Sequence, residues 1–340
     1  MKKKAIITGI TGQDGSYLAD FLLKKNYEIH GIVRRVALED ETHRLWRIKG
    51  LISKIKLHSA SLESYASLVK IIEKIKPTEI YHLAAQSYVS YSFEDEFSTL
   101  NTNINGTHYI LSAIKDFSPK TRFYFAASSE MFGKVEESPQ NENTKFHPRS
   151  AYGISKVAGF DLTRNYRDAY KLYACSGILF NHESELRGRE FVTQKIIYGV
   201  IEILKGTENH IELGNLDAKR DWGYAGDYVI GMHLMLQQDK ADDYVLATNQ
   251  TTSVRDFVVR AFRKSGVEIE WKGEGINEIG VNKGNGKTVV KINEDFYRPT
   301  EVDLLIGDYS KAKKGLNWAP TTGLDEIIEI MYNNVMKKIN

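Results

Sequence analysis

Cysteine is all but missing from this chain: Cys175 is the single thiol in 340 residues. One thiol rules out an intrachain disulfide and any zinc site built on cysteine pairs, so no metal centre is expected. Long apolar runs are missing as well. None approaches the ~18 residues of a bilayer-spanning helix, and no signal peptide opens the sequence. Nor is there a surplus of either charge: 46 Lys and Arg face 44 Asp and Glu, interspersed, for a net +2. No basic block points to nucleic acid and no acidic tail points to disorder. Internal repeats and low-complexity tracts are absent too. What remains, 42% hydrophobic and 26% charged, suffices for a large two-lobed globule or two domains. The first strand starts almost at Met1 and leaves no room for a targeting segment, so a soluble cytoplasmic protein is expected, with neither membrane nor nucleic-acid partner.

The informative residues begin at once. Lys4-Ala-Ile-Ile-Thr8 reads as a short apolar strand, Gly9-Ile-Thr-Gly12-Gln-Asp-Gly15 as a glycine-rich loop, and Ser16–Lys25 as a helix. Strand, G-x-x-G-x-x-G loop and helix in this order make a dinucleotide site. Glycines let the backbone approach a pyrophosphate, and the helix N-terminus offers free N–H groups and a positive dipole end. The second strand, Glu28-Ile-His-Gly-Ile-Val33, ends in Arg34-Arg35. An NAD site places an acid there for the ribose hydroxyls. Two guanidinium forks suit a 2′-phosphate instead, so NADP is the expected cofactor.

Tyr152 and Lys156, in Ser150-Ala-Tyr-Gly-Ile-Ser-Lys156, stand four apart on the first turn of a predicted helix and face one way. An ammonium about 4 Å from a phenol, at an effective dielectric of ~20, is worth roughly 4 kcal/mol, or about 3 pKa units. The spacing therefore predicts a tyrosine with its pKa drawn down from ~10, able to take an alcohol's proton near neutrality. Y-x-x-x-K alone occurs by chance in many helices; the glycine loop gives it weight.

Strands and helices alternate through the first half. Strands are predicted at 5–8, 28–33, 55–60, 79–85, 122–128 and 173–180, with helices at 16–25, 62–76, 97–116 and 150–170. Continuous apolar strands are those of a buried parallel sheet, so the fold class is α/β, a doubly wound Rossmann-type sheet. Beyond residue 180 short strands (211–214, 244–248, 269–273, 288–292) and helices (192–204, 227–238, 253–265, 322–337) mix. The expected division is a cofactor domain at 1–180 and a smaller, mostly C-terminal substrate-binding lobe at 181–340, with segments returning to the main sheet.

Gly9–Gly15 together with Tyr152–Lys156 resembles the extended short-chain dehydrogenase/reductases that modify nucleotide sugars. Longer blocks are similar to those of the GDP-mannose 4,6-dehydratase family: Thr8–Leu18, Gly31–Arg35, Tyr173–Ser184 with its Asn-His-Glu-Ser, Arg187-Gly188, Phe191–Ile196, Leu213–Asp217, Arg220–Trp222 and Tyr297–Val302. The resemblance spans almost the whole chain and is weakest at 36–60 and 274–293.

It implies a specific chemistry. Oxidising C4 of a hexose to a ketone acidifies the C5 proton; a base removes it, the C6 hydroxyl leaves as water, and the hydride returns to C6, so the cofactor is regenerated. On this resemblance Tyr152 is the base at O4, with Lys156 beside it and on the nicotinamide ribose. Ser128 hydrogen-bonds O4, and Glu130 takes the C5 proton and passes it to the departing O6. Gly9, Thr11, Gly12, Gln13, Asp14, Gly15, Arg34, Arg35, Leu62, Tyr152 and Lys156 hold NADP. Asn181, Arg187, Lys195, Arg220, Arg298 and Glu301 hold the GDP sugar. His182, a lone histidine without partner carboxylates, reads as hydrogen-bonded support ahead of a ligand. The implied enzyme is a hydro-lyase of deoxysugar and polysaccharide biosynthesis, acting as a homodimer or homotetramer.

Four departures keep alternatives open. Ser128 stands where the family has threonine, and Ser61-Leu62 where it has Asp-Leu at the adenine. Val36–Thr42 lacks the Ser/Asn-rich loop that reaches a neighbouring subunit. Gln86-Ser-Tyr-Val89 replaces Met-Ser-His-Val near the sugar. GDP-manno-heptose or another GDP sugar, a reductase or epimerase of the same fold, and a non-catalytic NADP-binding protein therefore stand as rivals.

Overall fold

The computed structural model describes residues 2–297, 300, 302 and 304–339. Two of the predicted substrate residues, Arg298 and Glu301, lie outside the described residues. Strands β1 (Lys4–Thr8), β2 (Glu28–Val33), β3 (Lys56–Ser59), β4 (Glu79–His82), β5 (Arg122–Ser128) and β6 (Ala174–Leu179) join Tyr244–Leu246 in one sheet of seven. Every pairing is parallel, and the order is β3-β2-β1-β4-β5-β6 followed by Tyr244–Leu246. The strand order reverses at β1, with β2 and β3 added on one side and β4 onward on the other, which makes the C-terminal ends of β1 and β4 the crevice where such sheets bind ligands. The predicted doubly wound α/β class is what the chain adopts.

Apolar strands explain the layering. Ile7, Tyr81, Tyr124 and Cys175 point into one buried layer, against helix α1 (Gln13–Lys24) and the helix Ala225–Met235. Ile6, Ile80, Phe123 and Phe125 point into the other, against Tyr65–Ile75 and Gly106–Phe117. A third core belongs to the C-terminal part. There the helices Val192–Lys205, Val254–Lys264 and Leu324–Ile339 surround a four-stranded sheet of Ile211–Leu213, Ile269–Lys272, Ile279–Asn282 and Thr288–Ile292. The glycine-rich 283–287 stretch is a hairpin turn, with Gly286 at φ +72°.

The helix predicted over 97–116 is interrupted. Glu96–Leu100, capped by Asp95, runs into a single π turn, Asn101–Asn105, before Gly106–Phe117 resumes. Apolar spacing carries no trace of one extra residue in a turn. Two short strand pairs also escaped the sequence reading: Asn181–Glu183 beside Trp222–Tyr224, and Lys219–Arg220 beside Thr252–Ser253. Between them sits buried Asp221, which accepts from Thr248 N (2.8 Å), Thr248 Oγ1 (2.6 Å), Asn249 N (3.0 Å) and Gly307 N (3.1 Å). This carboxylate joins the end of the seventh sheet strand to the segment between the two short strand pairs. Among the described residues no helix is long and apolar enough to cross a membrane, and no cluster of three or more His, Cys, Asp or Glu could hold a metal ion.

Candidate active site

At the switch point Thr8 and His82 clamp β1 to β4. Thr8 Oγ1 lies 2.8 Å from His82 Nδ1 and accepts the N–H groups of Leu83 (3.2 Å) and Ala84 (3.1 Å). Burial pushes the His82 imidazole down to about 3, so the clamp is uncharged at neutral pH. The loop that follows requires its glycines. Gly9 has φ +73°, and a Cβ there would stand 2.8 Å from Ala84 N. A Cβ on Gly15 would stand 2.2 Å from Gly9 O. The Gly12 N–H closes the turn onto Gly9 O at 2.9 Å, and α1 begins at once. A backbone cradle that any side chain would fill, at a helix N-terminus, fits the pyrophosphate of a dinucleotide.

A cleft of about 790 Å³ opens over this loop. It brings Gly9, Gly12, Gln13, Asp14 and Gly15 together with Ser128, Glu130, Tyr152 and Lys156, and with Asn181, Arg187, Lys195 and Arg220. Ser150 starts the helix Ala151–Tyr170 by accepting Gly153 N (3.0 Å), which places Tyr152 and Lys156 on successive turns of one face. β5 delivers Ser128, whose Oγ accepts Glu130 N at 3.2 Å in a short 3₁₀ turn.

The electrostatics differ from the expected pairing of ammonium and phenol. Lys156 Nζ donates to Ala126 O at 2.7 Å and lies 5.7 Å from the centre of the Tyr152 ring. Burial pushes the Tyr152 phenol up to about 12; a hydrogen bond with Ser128 pulls the other way and nearby Glu130 adds to the rise. Burial also pushes the Lys156 ammonium down to about 8. The predicted drop took account of the cation and not of the desolvation both groups undergo, and desolvation is the larger effect.

The far wall is cationic and aromatic. The Arg187 guanidinium covers the Phe191 ring at 3.6 Å, and Tyr88 meets that ring edge-on at 5.8 Å. Lys195 Nζ sits 3.4 Å above the Phe296 ring. Arg220, buried, donates to Lys219 O at 3.0 Å. Guanidinium and ammonium groups facing one cleft suit a pyrophosphate, and the aromatic rings suit a base or sugar face.

Residues 6–331 match the family model described as GDP-mannose 4,6 dehydratase. The chain belongs to that family. A GDP-mannose 4,6 dehydratase of Drosophila melanogaster is 51% identical over 339 residues, covering 97% of this chain and 85% of the fly protein. Solved structures share the fold at lower identity. A dTDP-glucose 4,6-dehydratase of Bacillus anthracis, in complex with NAD, has a TM-score of 0.81 at 17% identity, covering 98% of this chain and 97% of its own. An enzyme of Pseudomonas aeruginosa termed RMD, complexed with NADPH, has a TM-score of 0.78 at 19% identity, covering 99% and 100%. As a GDP-mannose 4,6-dehydratase family member the chain is a nucleotide-sugar hydro-lyase.

Not every residue matched to the family's blocks lines the cleft. Arg34 and Arg35 stand exposed just past β2, Arg34 as the cap of a short helix and Arg35 paired to Glu39 at 3.0 Å. Leu62 packs against Gly106, where a Cβ would meet it at 2.9 Å. Thr11 offers its carbonyl to Arg47 at 3.3 Å. Arg47, in the segment least like the family, is a residue the sequence did not reveal. Its Nε donates to Leu186 O at 2.7 Å, and it lines the cleft from the stretch after Arg35. Asn103 is another. Its side chain, on the π turn, bonds both backbone groups of Gln86 (2.8 and 3.0 Å) and Ser155 Oγ (2.9 Å). The amide of Gln86 in turn ties Tyr88 N (2.7 Å) and Thr99 Oγ1 (3.1 Å). So Ser87, Tyr88 and Val89 face the cleft while Gln86 braces them from behind.

Proposed function

We propose that this chain removes water from GDP-mannose with NADP, giving the GDP-4-keto-6-deoxy sugar. The observation that carries the reading is the meeting, in one cleft, of Ser128, Glu130, Tyr152 and Lys156 with the glycine cradle and with Arg187, Lys195 and Arg220. When bound, the nicotinamide supplies a reversible hydride acceptor. Tyr152 takes the proton from O4, with Ser128 orienting the alcohol and bonding the phenol, and Lys156, held on Ala126 O 5.7 Å from the ring centre, keeping a positive charge on that side of the cleft. Glu130 removes the acidified C5 proton and hands it to O6 as water leaves, so one carboxylate serves both bonds. Arg187, Lys195 and Arg220 hold the diphosphate and keep the hexose fixed while C4, C5 and C6 react in turn. Arg34 and Arg35, at the C-terminal end of β2, favour a 2′-phosphate over a bare ribose.

The same reading takes the working protein to be cytoplasmic and a homodimer or homotetramer. Phe97, 81% exposed, and Ile154, 48% exposed, lie on two helices that touch each other and offer an apolar face; sedimentation of the purified protein tests the assembly. The chemistry is tested by turnover in heavy water. The expected product has lost one water and carries a single solvent deuterium at C5. A product of unchanged mass makes the protein an epimerase, and a reduced product makes it a reductase. Comparing kcat/KM for GDP-mannose and GDP-manno-heptose then decides whether the methyl absent at Ser128 admits a longer sugar.

A further inference from the structure

Three side chains of α1 leave the cofactor loop and cross to the substrate strand. Gln13 Nε2 donates to His182 O (3.0 Å), and Gln13 Oε1 accepts the Ser184 hydroxyl (2.7 Å). Asp14 Oδ2 meets His182 Nε2 at 2.9 Å. The Tyr17 hydroxyl donates to Glu185 Oε2 (2.7 Å) and lies 2.9 Å from the Tyr224 hydroxyl. The second ring nitrogen of His182, Nδ1, faces Phe180 O at 2.7 Å. Both nitrogens thus face acceptors, a carbonyl on one side and a carboxylate on the other, and only the doubly protonated ring donates to both. The ring also stacks on Tyr228, centroids 4.5 Å apart.

The contacts continue beyond the ring. Glu183, next on the strand, accepts the Thr193 hydroxyl at 2.6 Å and pairs with Arg187 at 3.2 Å. Arg187 is the guanidinium that covers Phe191. A connected path therefore runs from the glycine loop, through His182, to the cationic wall.

We propose that His182 is a positioning residue: its imidazolium, held between Asp14 and the Phe180 carbonyl, locks the strand Asn181–Glu183 to the cofactor loop, so that Asn181 and the Glu183–Arg187 pair stand in register with Tyr152. The proposal rests on the dehydratase reading of the same cleft. Gln13 and Asp14, placed by sequence among the cofactor residues, act through their side chains on the substrate half. The charged and titratable groups facing the ring are Asp14 from α1, Arg187 from the turn after the strand, and Tyr228 from the helix Ala225–Met235. Burial opposes both charges of the pair; even so, His182 holds Asp14 below its ordinary value, and Asp14 with Phe180 O holds His182 above its own. The pair is intact above the lowered carboxylate value and is lost as pH rises through the raised imidazole value.

Asp14→Asn keeps the shape and removes the charge. KM for GDP-mannose should rise ~10-fold or more at pH 7 while kcat falls ~3-fold or less, in line with a lost charge-assisted hydrogen bond. The pH at which KM climbs should also move down, since the imidazole then loses its partner. ¹⁵N NMR of the wild-type protein reads His182 directly and needs no variant: both ring nitrogens should carry protons at pH 7. A neutral ring overturns the proposal, as does an Asp14→Asn protein that binds NADP less tightly with KM for the sugar unchanged. Should wild-type protein fail to turn over GDP-mannose, the dehydratase reading falls by itself. The lock is then judged on the NMR spectrum and on GDP affinity by calorimetry, which should weaken in Asp14→Asn and in His182→Gln; unchanged affinity in both overturns it.

Discussion

Replacing Tyr152 by phenylalanine removes one oxygen from a ring that is only 8% exposed. No cavity beyond that atom is made, and the helix from Ser150 keeps its cap. The lost hydrogen bond with Ser128 is worth ~0.5–1.5 kcal/mol. Unfolding entropy of ~2.1 cal/mol/K per residue, over 340 residues, makes each kcal/mol about 1.4 °C of Tm, so the melting point should drop by only ~1–2 °C. Loss of the O4 base should cost ~10²–10⁴ in kcat, or about 2.7–5.5 kcal/mol of barrier. Stability and catalysis are thereby pulled apart by a single atom. The assay pairs a thermal melt with mass-spectrometric quantification of dehydrated product at saturating GDP-mannose. A variant that melts as expected and turns over within ~3-fold of wild type refutes the role given to Tyr152.

Other perturbations read other parts of the site. kcat/KM, which reports the free enzyme, should decline above about pH 8 as Lys156, pushed down to about 8 by burial, loses its proton; a profile still flat at pH 9.5, roughly 1.5 units above that value, contradicts a need for the ammonium. Gly15→Ala forces a Cβ against Gly9 O, costing ~1–3 kcal/mol, and should abolish dinucleotide binding in a fluorescence titration while the protein still folds. Arg34→Ala with Arg35→Ala should weaken NADP far more than NAD, and equal losses would mean that neither reads the 2′-phosphate. Asp243→Ala strands Arg167, which it binds through both oxygens at 3.0 and 2.7 Å, and also frees Ser176 N; breaking such a buried pair costs ~3–5 kcal/mol, a fall in Tm of ~4–7 °C.

The parts of the site that sequence revealed are local ones. Gly9–Gly15 and Tyr152–Lys156 each lie within one loop or one helical turn, so their spacing alone carries the geometry. The sheet was legible for the same reason: β1 and β5 carry apolar runs of three and five residues, and β6 is broken only by Ser176 and Gly177. Arg47 and Asn103 were not, because their partners, Leu186 and Gln86, are brought to them only by the fold. The state of Tyr152 was misjudged on similar grounds. Proximity to Lys156 can be counted off in residues, whereas the depth at which both are buried depends on every layer packed above them.

The strand Tyr244–Leu246 has a consequence for anyone dividing this chain. It comes from the second half of the sequence yet closes the main sheet beside β6, each of whose residues is buried. A fragment ending near residue 240 would bare β6 as an edge, a row of unpaired N–H and C=O groups on an apolar strand, open to pairing with other molecules. It would also leave Asp221 without Thr248, Asn249 and Gly307. The two halves are interlaced in the manner of a stitched seam, so split-protein designs or truncations that cut between β6 and Tyr244 should yield aggregates where a tidy cofactor domain was wanted.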